Sequence, residues 1–314
     1  METAIRCSIV LMALLIVNAV PFAWAREQPA FIEELLQGDD AIEVTGADSK
    51  KSPVVTLGRR FGGSVVSLYY RGVEYVNNDS NGEVDYGRQL QSAVVYRNAQ
   101  ECFNPTEAGG KYDRGRPMSS SRLLSVERPQ PNVVVTQTDM AFWMAPNEEK
   151  TKKGEECTAL NTDYRAGYIL KRTLQVGVEG YPNVISYQTQ FVAPKAEANP
   201  RYEMVVIHAQ KRFSRVFRVA KDGREQELID IDKERGGKPY MLTTSDFRHA
   251  VLICTSTLFG RGAYGHIRHG NTIASRVVSF GNRQEKESQV FDNYVIVGSP
   301  TEVREGAARF CFVR

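Results

Sequence analysis

Metal-binding and nucleophilic motifs are missing from this chain of 314 residues. It holds only four histidines and five cysteines, and no two cysteines are spaced Cys-x-x-Cys, so neither a zinc ribbon nor a redox dithiol is indicated. No Gly-x-Ser-x-Gly elbow, phosphate-binding loop or His-Glu-x-x-His motif occurs either. We therefore expect no metal and no cofactor, and the commonest hydrolase and nucleotide-binding signatures are excluded.

Basic and acidic residues are nearly balanced, with 40 Lys and Arg against 37 Asp and Glu. The basic residues are spread along the chain. Such a balance gives no electrostatic basis for binding nucleic acid. After residue 25 no apolar run is long enough to cross a bilayer, so we expect no membrane span in the mature chain.

The first 25 residues predict a signal peptide. Arg6 precedes a short apolar run, Ile9–Val20, and Ala23-Trp24-Ala25 has the small-x-small pattern of a cleavage site. A membrane anchor is the alternative, but this run is too short to span about 30 Å comfortably. We expect cleavage after Ala25, export to the periplasm or the extracellular space, and a mature chain of residues 26–314.

The mature chain keeps an even number of cysteines, which in an exported protein favours two disulfides with three possible connectivities. We favour Cys102–Cys157, which would join two loops, and Cys254–Cys311, which would join two strand-like segments. Free buried thiols are the alternative.

Segments rich in β-branched residues follow one another along most of the chain. In Ile169–Val178 and Val184–Val192, apolar and polar residues alternate as in strands with one buried face. Neither strand–helix–strand alternation nor a fixed-period repeat occurs, and no low-complexity linker divides the chain. The sequence therefore predicts one all-β domain, an antiparallel sandwich with few short helices.

Two helices and two long loops interrupt this pattern. The helices are Pro29–Gln37 and a late one that begins at the capping box Ser299–Glu302 and ends at Gly306. The polar loops Asn98–Ser120 and Ala145–Gly167 are long for a compact domain. Each loop carries one cysteine of the first predicted disulfide, so we expect the two loops to be ordered together over one end of the sandwich.

Polar side chains are dense between residues 62 and 110, and they suit a polyhydroxylated ligand. Amide and guanidinium groups bind paired sugar hydroxyls with two hydrogen bonds. We therefore predict that Arg88, Gln89, Gln91 and Asn104 bind a carbohydrate. A salt-bridged Arg88 on an ordinary two-faced strand is the alternative.

The run Gly62–Leu68, the hairpin around Arg71-Gly72 with Glu74 at its tip, and Asp85–Arg88 resemble the opening of galactose mutarotase-like β-supersandwich proteins, over about residues 62–91. The resemblance implies an antiparallel β-supersandwich with a concave sheet face that meets a carbohydrate. Epimerases, polysaccharide lyases, glycoside hydrolase domains and non-catalytic sugar binders share this fold. In the epimerase branch, Arg88 matches the Arg of the motif and His208 one of two central histidines, whereas the second histidine and the late catalytic Glu have no counterpart.

Acid and base candidates lie in a loop and on a strand. Glu101 and Glu107 share one loop, where two carboxylates can act as acid and base in glycoside hydrolysis. The alternative for Glu107 is a helix cap. His208 ends the predicted strand Tyr202–Ala209 and is the third candidate, against the alternative of a core histidine.

A glycine-rich loop, Gly260–Gly270, offers a second catalytic arrangement. Tyr264 and His266, with neighbouring arginines, supply the base, the acid and the cation that a polysaccharide lyase needs. A mobile polar surface loop is the alternative.

These features predict an exported carbohydrate-active enzyme, of glycoside hydrolase or lyase type, that acts on an oligo- or polysaccharide. A non-catalytic carbohydrate-binding envelope protein of the same fold is the first alternative, and a structural envelope protein without a ligand is the second. The catalytic hypothesis requires that Arg88, Glu107 and His208 meet in one cleft.

Overall fold

The computed structural model describes most of the chain after the N-terminal segment. The described ranges are 40–77, 79–80, 83–84, 89–95, 105–113, 118–152, 155–159, 161–178, 180–194, 201–229, 233–256, 263–269, 272–280 and 288–312. Several predictions lie outside them: the signal peptide, the helix at residues 29–37, and the site candidates Arg88, Glu101, Cys102 and Asn104.

The first four strands form a small antiparallel sheet in sequence order. They are β1 (Ala41–Thr45), β2 (Val54–Gly58), β3 (Val65–Tyr70) and β4 (Val73–Glu74). The β3–β4 hairpin turns at Arg71 (φ 49°) and Gly72 (φ 81°), two left-handed residues whose twist matches that of the strands. The predicted hairpin at this position is confirmed.

Two short ribbons stand apart from the main sheet. They are β5 (Asp79–Ser80) with β6 (Glu83–Val84), and β11 (Glu149–Lys152) with β12 (Glu155–Thr158). The second ribbon lies inside the segment 145–167, which the sequence predicted to be a loop.

The other strands in the described part of the chain form one sheet of 15 strands. Their bounds are β7 (Gln91–Val95), β8 (Pro105–Thr106), β9 (Arg122–Gln130), β10 (Val133–Phe142), β13 (Arg165–Val178), β14 (Tyr181–Val192), β15 (Arg201–Ala209), β16 (Arg215–Val219), β17 (Glu225–Leu228), β18 (Lys233–Gly236), β19 (Tyr240–Thr243), β20 (Ala250–Thr255), β21 (Ala263–His269), β22 (Thr272–Phe280) and β23 (Gln289–Gly298).

This sheet folds back on itself to form both layers of a sandwich. Its strand order is β17-β16-β19-β20-β23-β14-β13-β10-β8-β7-β15-β22-β21-β18, and β9 branches off β10. Strands from its two halves face each other, since β15 contacts β20 and β23, and β19 contacts β21. The ring of Tyr240 on β19 meets that of His266 on β21 edge to face, with centroids 5.0 Å apart. The prediction of an all-β antiparallel sandwich is confirmed.

Alternation along the central strands builds the core. Leu170, Leu174 and Val176 of β13 are at most 1% exposed, as are Ile185 and Phe191 of the paired strand β14. Burying each such side chain contributes about 1.5–3 kcal/mol. The periodicity of the sequence therefore predicts correctly which face of these two strands is buried.

The late helix, α1 (Pro300–Phe310), begins where the sequence predicts. Ser299 and Glu302 form a reciprocal capping box at its start. The predicted end at Gly306 is wrong, because this glycine lies inside the helix. A Cβ at Gly306 would come within 2.9 Å of Ile296 Cγ2, so the missing side chain allows close packing of α1 on β23.

The disulfide Cys254–Cys311 joins β20 to the end of α1, with Cα atoms 5.5 Å apart. This confirms the second predicted pair. Cys157 lies in β12, but its proposed partner Cys102 is outside the described ranges, so the first pair stays a prediction.

The glycine-rich segment 260–270 is not a surface loop where it is described. Residues 263–269 form β21, and Gly265 pairs with Arg276 of β22. Tyr264 and His266 are two positions apart on β21, so their side chains point to the same face of the sheet. Both are buried inside the sandwich. Within the described ranges, no helix is long and apolar enough to cross a membrane.

Candidate functional site

Glu107 lies inside the sandwich, directly after β8, and its side chain has no exposed surface. The carboxylate forms an ion pair with Arg172 of β13, which is equally buried. The Ser92 N–H (3.1 Å) and the Tyr187 hydroxyl (3.3 Å) also donate to this carboxylate, and Arg172 donates to the Gly63 carbonyl. The cluster therefore ties β7, β13, β14 and the turn before β3 together.

Burial controls the ionisation of this cluster. It raises the pKa of Glu107, and the charge of Arg172 opposes that rise. Burial also raises the pKa of Tyr187 to about 12, so the phenol stays neutral. A carboxylate without solvent access does not contact a polysaccharide. The geometry thus supports a structural role for Glu107 and gives no support to its predicted catalytic role.

The two glutamines predicted to bind sugar are also buried, with Gln89 1% and Gln91 5% exposed. Gln91 Oε1 accepts a hydrogen bond from the Ala108 N–H at 3.1 Å. This bond holds the segment after β8 against β7. Neither side chain is presented to a ligand in this conformation.

Glu74, from the hairpin tip that carries the family resemblance, is 6% exposed. Its Oε1 accepts hydrogen bonds from the Leu68 and Val76 N–H groups, both at 2.9 Å, and the Ser67 hydroxyl donates to its Oε2. Burial raises the pKa of this carboxyl, and these donors oppose the rise. Glu74 therefore fixes the shape of the hairpin.

The remaining acid and base candidates lie on β15 and β21. His208 is half-buried, and it lies between Ile207 and Ala209, whose side chains are in the core, so it faces away from the core. Glu107 lies inside the sandwich, so the two side chains are on opposite sides of the sheet. They do not meet in one cleft as the sequence predicted.

The predicted lyase pair is closed to solvent as well. Tyr264 and His266 are 2% and 1% exposed, and burial raises the pKa of Tyr264 to about 12. Strand β21 lies three positions from β7 in the sheet, which is about 14 Å at the usual strand spacing. The predicted catalytic residues that the structure describes therefore lie in separate parts of the sandwich and do not form one site.

An open groove of about 1100 Å³ lies beside β9, and none of the predicted site residues that the structure describes lines it. Four parts of the chain line it: Asp40, the arginine pair 59–60, residues 118–126 and residues 163–165. Strand β9 pairs only with β10 among the described strands, and residues 163–165 lead into β13, which pairs with the opposite side of β10, so the walls of the groove come from both sides of β10.

Backbone hydrogen bonds hold the arginine pair at the groove. The Ser119 N–H donates to the Arg60 carbonyl at 2.8 Å, and the Arg60 N–H donates to the Asp40 carboxylate at 3.1 Å. Gly62 closes the turn with φ 66°, and a Cβ at this position would collide with the Glu107 carbonyl. The glycine is required here by both its backbone angle and its surroundings.

The two long polar loops meet at one end of the groove. The rings of Tyr112 and Tyr164 contact each other edge to face, with centroids 4.7 Å apart. The Lys111 N–H donates to the Trp143 carbonyl at 3.0 Å, and the Lys111 ammonium pairs with Glu148. The described parts of the two loops thus contact each other, and these contacts do not depend on the Cys102–Cys157 bond, which stays a prediction.

The groove presents three kinds of chemical group to solvent. Arg59 and Arg122 are exposed guanidinium groups. Tyr164, Leu124 and Met118 supply apolar surface, at 44%, 47% and 66% exposed. Four serines also line the groove, but the hydroxyls of residues 119–121 already donate hydrogen bonds within the protein, and Ser121 is 3% exposed; Ser125 is half-buried. In the described part of the chain, no three His, Cys, Asp or Glu side chains are grouped so that they can hold a metal ion.

No family model and no curated protein matches this chain. Among solved structures, it is similar to a protein of Synechocystis sp. PCC 6803, at 8% identity and a TM-score of 0.47, over 84% of this chain and 98% of that one. The GH36 α-galactosidase AgaB of Geobacillus stearothermophilus is 7% identical, with a TM-score of 0.45, over 82% of this chain and 41% of the enzyme.

The heparan sulfate lyase HepC of Pedobacter heparinus is 11% identical, with a TM-score of 0.39, over 82% of this chain and 35% of the lyase. This chain thus spans 41% or less of the length of these two enzymes. Because all three similarities are weak, we infer function from the groove.

Sequence reasoning missed the groove because its walls are distant along the chain. The available signals are the Arg59-Arg60 doublet before Gly62 and the serine run at 119–121. Each is common on protein surfaces. Only the folded chain shows that both lie beside Tyr164 and Arg122.

Proposed function

We propose that this protein binds an oligo- or polysaccharide in the groove beside β9. The observation that carries the proposal is that guanidinium groups unpaired in the described structure and exposed apolar side chains line one open groove, together with the half-buried Ser125. Sugars require planar donors for neighbouring hydroxyls and flat apolar surface for the C–H faces of their rings. The resemblance of residues 62–91 to galactose mutarotase-like proteins supports the same class of ligand.

Binding to a panel of neutral and acidic polysaccharides tests this proposal. We expect Tyr164→Ala to weaken binding about 3- to 10-fold, because it removes an exposed ring from the groove. Phe247→Ala is the matched control, since Phe247 is 40% exposed but does not line the groove. Equal losses in the two variants, or no binding to any polysaccharide, would contradict the proposal.

Cleavage by elimination is a second candidate, favoured by an exposed Tyr164 in the same groove as Arg122, whose guanidinium group is not paired with any residue that the structure describes. In such a step a base removes the proton beside a uronate carboxylate, the C–H electron pair forms a double bond, and the glycosidic oxygen leaves with a proton. A tyrosine can take and return that proton, and an arginine can neutralise the carboxylate.

Reducing ends and the ultraviolet absorbance of unsaturated uronates distinguish the activities. New reducing ends with absorbance that are lost in Tyr164→Phe indicate elimination in this groove. Reducing ends without absorbance indicate hydrolysis. Binding without either signal indicates a non-catalytic binder, the function that the buried carboxylate of Glu107 favours.

Export belongs to this proposal. The predicted signal peptide supports it, and so does the Cys254–Cys311 disulfide, because such bonds persist in oxidising compartments. N-terminal sequencing of the secreted protein tests it, with Arg26 expected as the first residue.

A further inference from the structure

We propose that the ligand of this groove is an anionic glycan whose carboxylate or sulfate groups are bound by Arg59 and Arg122. The inference rests on the carbohydrate-binding function proposed above and specifies its substrate class. The inference follows from a comparison of the groove arginines that pair with an acidic side chain and the groove arginines that do not.

Two of the four arginines in the groove have acidic partners. Arg60 Nε lies 3.4 Å from the Asp40 carboxylate, and both side chains are about one-fifth exposed. Arg165 Nη1 lies 3.5 Å from the Asp139 carboxylate. These two arginines are neutralised within the protein, so they contribute little net charge to the groove.

Arg59 and Arg122 have no such partner. Both are exposed, and neither makes an ion pair or a side-chain hydrogen bond to any other residue that the structure describes. Both side chains line the groove, Arg59 from the turn before Gly62 and Arg122 as the first residue of β9. The groove therefore holds two guanidinium groups whose donors are free for a ligand.

Free guanidinium groups select the ligand by charge. Each can donate two parallel hydrogen bonds to a carboxylate or a sulfate, and bonds to an anion are about twice as strong as those to a neutral hydroxyl. Asp163 is the remaining acid in the lining, and its Oδ1 accepts from the Arg165 N–H at 3.2 Å. A ligand with repeated negative charge thus gains more at this groove than a neutral chain of the same size.

The experiment compares three probes by calorimetric titration of the purified protein: polygalacturonate for carboxylate, dextran sulfate for sulfate, and dextran as the neutral chain. We expect the two anionic probes to bind more tightly than dextran, with affinity that falls as salt rises. Arg59→Gln and Arg122→Gln are each expected to weaken anionic binding about 5- to 10-fold, and the double variant at least about 30-fold. A preference between the first two probes tells carboxylate from sulfate.

Arg224→Gln and Arg248→Gln are matched controls, because these arginines are 85% and 81% exposed and lie outside the groove. Unchanged melting temperatures would show that Arg59 and Arg122 can be replaced without unfolding. If dextran binds as tightly as the anionic probes, the groove binds sugar but this inference is wrong. Equal losses in the control variants would mean that general surface charge attracts the probe.

Binding of none of the three probes would overturn the carbohydrate function together with the inference. Saturable binding of an extended peptide in the same assay, lost in the double variant, would instead assign the groove to a protein partner.

Discussion

Replacing Arg172 by methionine is expected to destabilise this protein by about 3–5 kcal/mol, because Glu107 then keeps a buried charge without its partner. Glu107→Gln leaves the guanidinium unpaired instead and is expected to cost a similar amount. Native domains are stable by about 5–15 kcal/mol in total. Either change therefore removes a large fraction of the stability.

The double variant Arg172→Met/Glu107→Gln separates the cost of an unpaired charge from the cost of lost packing. With no charge left in the cluster, we expect it to be more stable than the sum of the single changes implies, by about 1–3 kcal/mol. Methionine keeps much of the length of the arginine side chain, so the cavity stays small.

Equilibrium unfolding in urea, followed by circular dichroism, measures these differences. Arg224→Met is the control, since Arg224 pairs with Asp222 on the surface and is 85% exposed, and it is expected to cost less than about 1 kcal/mol. If Arg172→Met costs no more than this control, the pair is open to solvent. Glu107 would then regain its place as a candidate catalytic acid.

Two further predictions concern a buried carboxyl and the disulfide. Burial raises the pKa of Glu74, so its contribution to stability is present at acidic pH and is lost as pH rises through the folded-state pKa. Glu74→Gln retains an oxygen for the Leu68 and Val76 N–H groups, and its stability relative to the parent protein should rise as the pH increases above the usual glutamate pKa of about 4.3; parallel stability curves would refute this. Replacing both Cys254 and Cys311 by alanine is expected to lower the unfolding free energy by about 4 kcal/mol, since the bond closes a sequence separation of 57 residues; a loss below about 1 kcal/mol in the same urea assay would count against it.

The sequence predicts the fold well where one local rule decides the structure. The two left-handed residues at Arg71-Gly72 specify the hairpin, and the Ser299–Glu302 capping box specifies where α1 begins. These features depend on residues close together in the chain. They can therefore be identified without knowing the tertiary structure.

The predictions of secondary structure failed where tertiary packing determines the conformation of a residue. A glycine such as Gly306 is typical of a helix end. In the fold, however, Ile296 of β23 occupies the space that a side chain at position 306 would need. Gly265 lies in a glycine-rich segment that is typical of a loop. Its pairing with Arg276 of β22 nevertheless makes it part of strand β21. Propensity is a weak guide to a residue whose surroundings come from distant segments.

The site was harder to predict than the fold, because a polar side chain in the sequence does not show whether it is free. Glu107 and Gln91 have the chemistry of ligand-binding groups, and the folded chain uses both to hold its own strands. Arg59 and Arg122 have no special sequence context, yet both remain without partners in the described structure. Availability for a ligand depends on three-dimensional neighbours.

The position of β23 has a consequence for the time course of folding. This strand comes last in the sheet's sequence order but lies between β14 and β20, and Asn293 donates to the Tyr187 carbonyl, 106 residues earlier. Sheets built from such distant pairs fold slowly, because long loops must close before their contacts form. We therefore expect the core to assemble only after residues 289–298 have left the ribosome, so the export proposed above would act on a chain that is not yet folded.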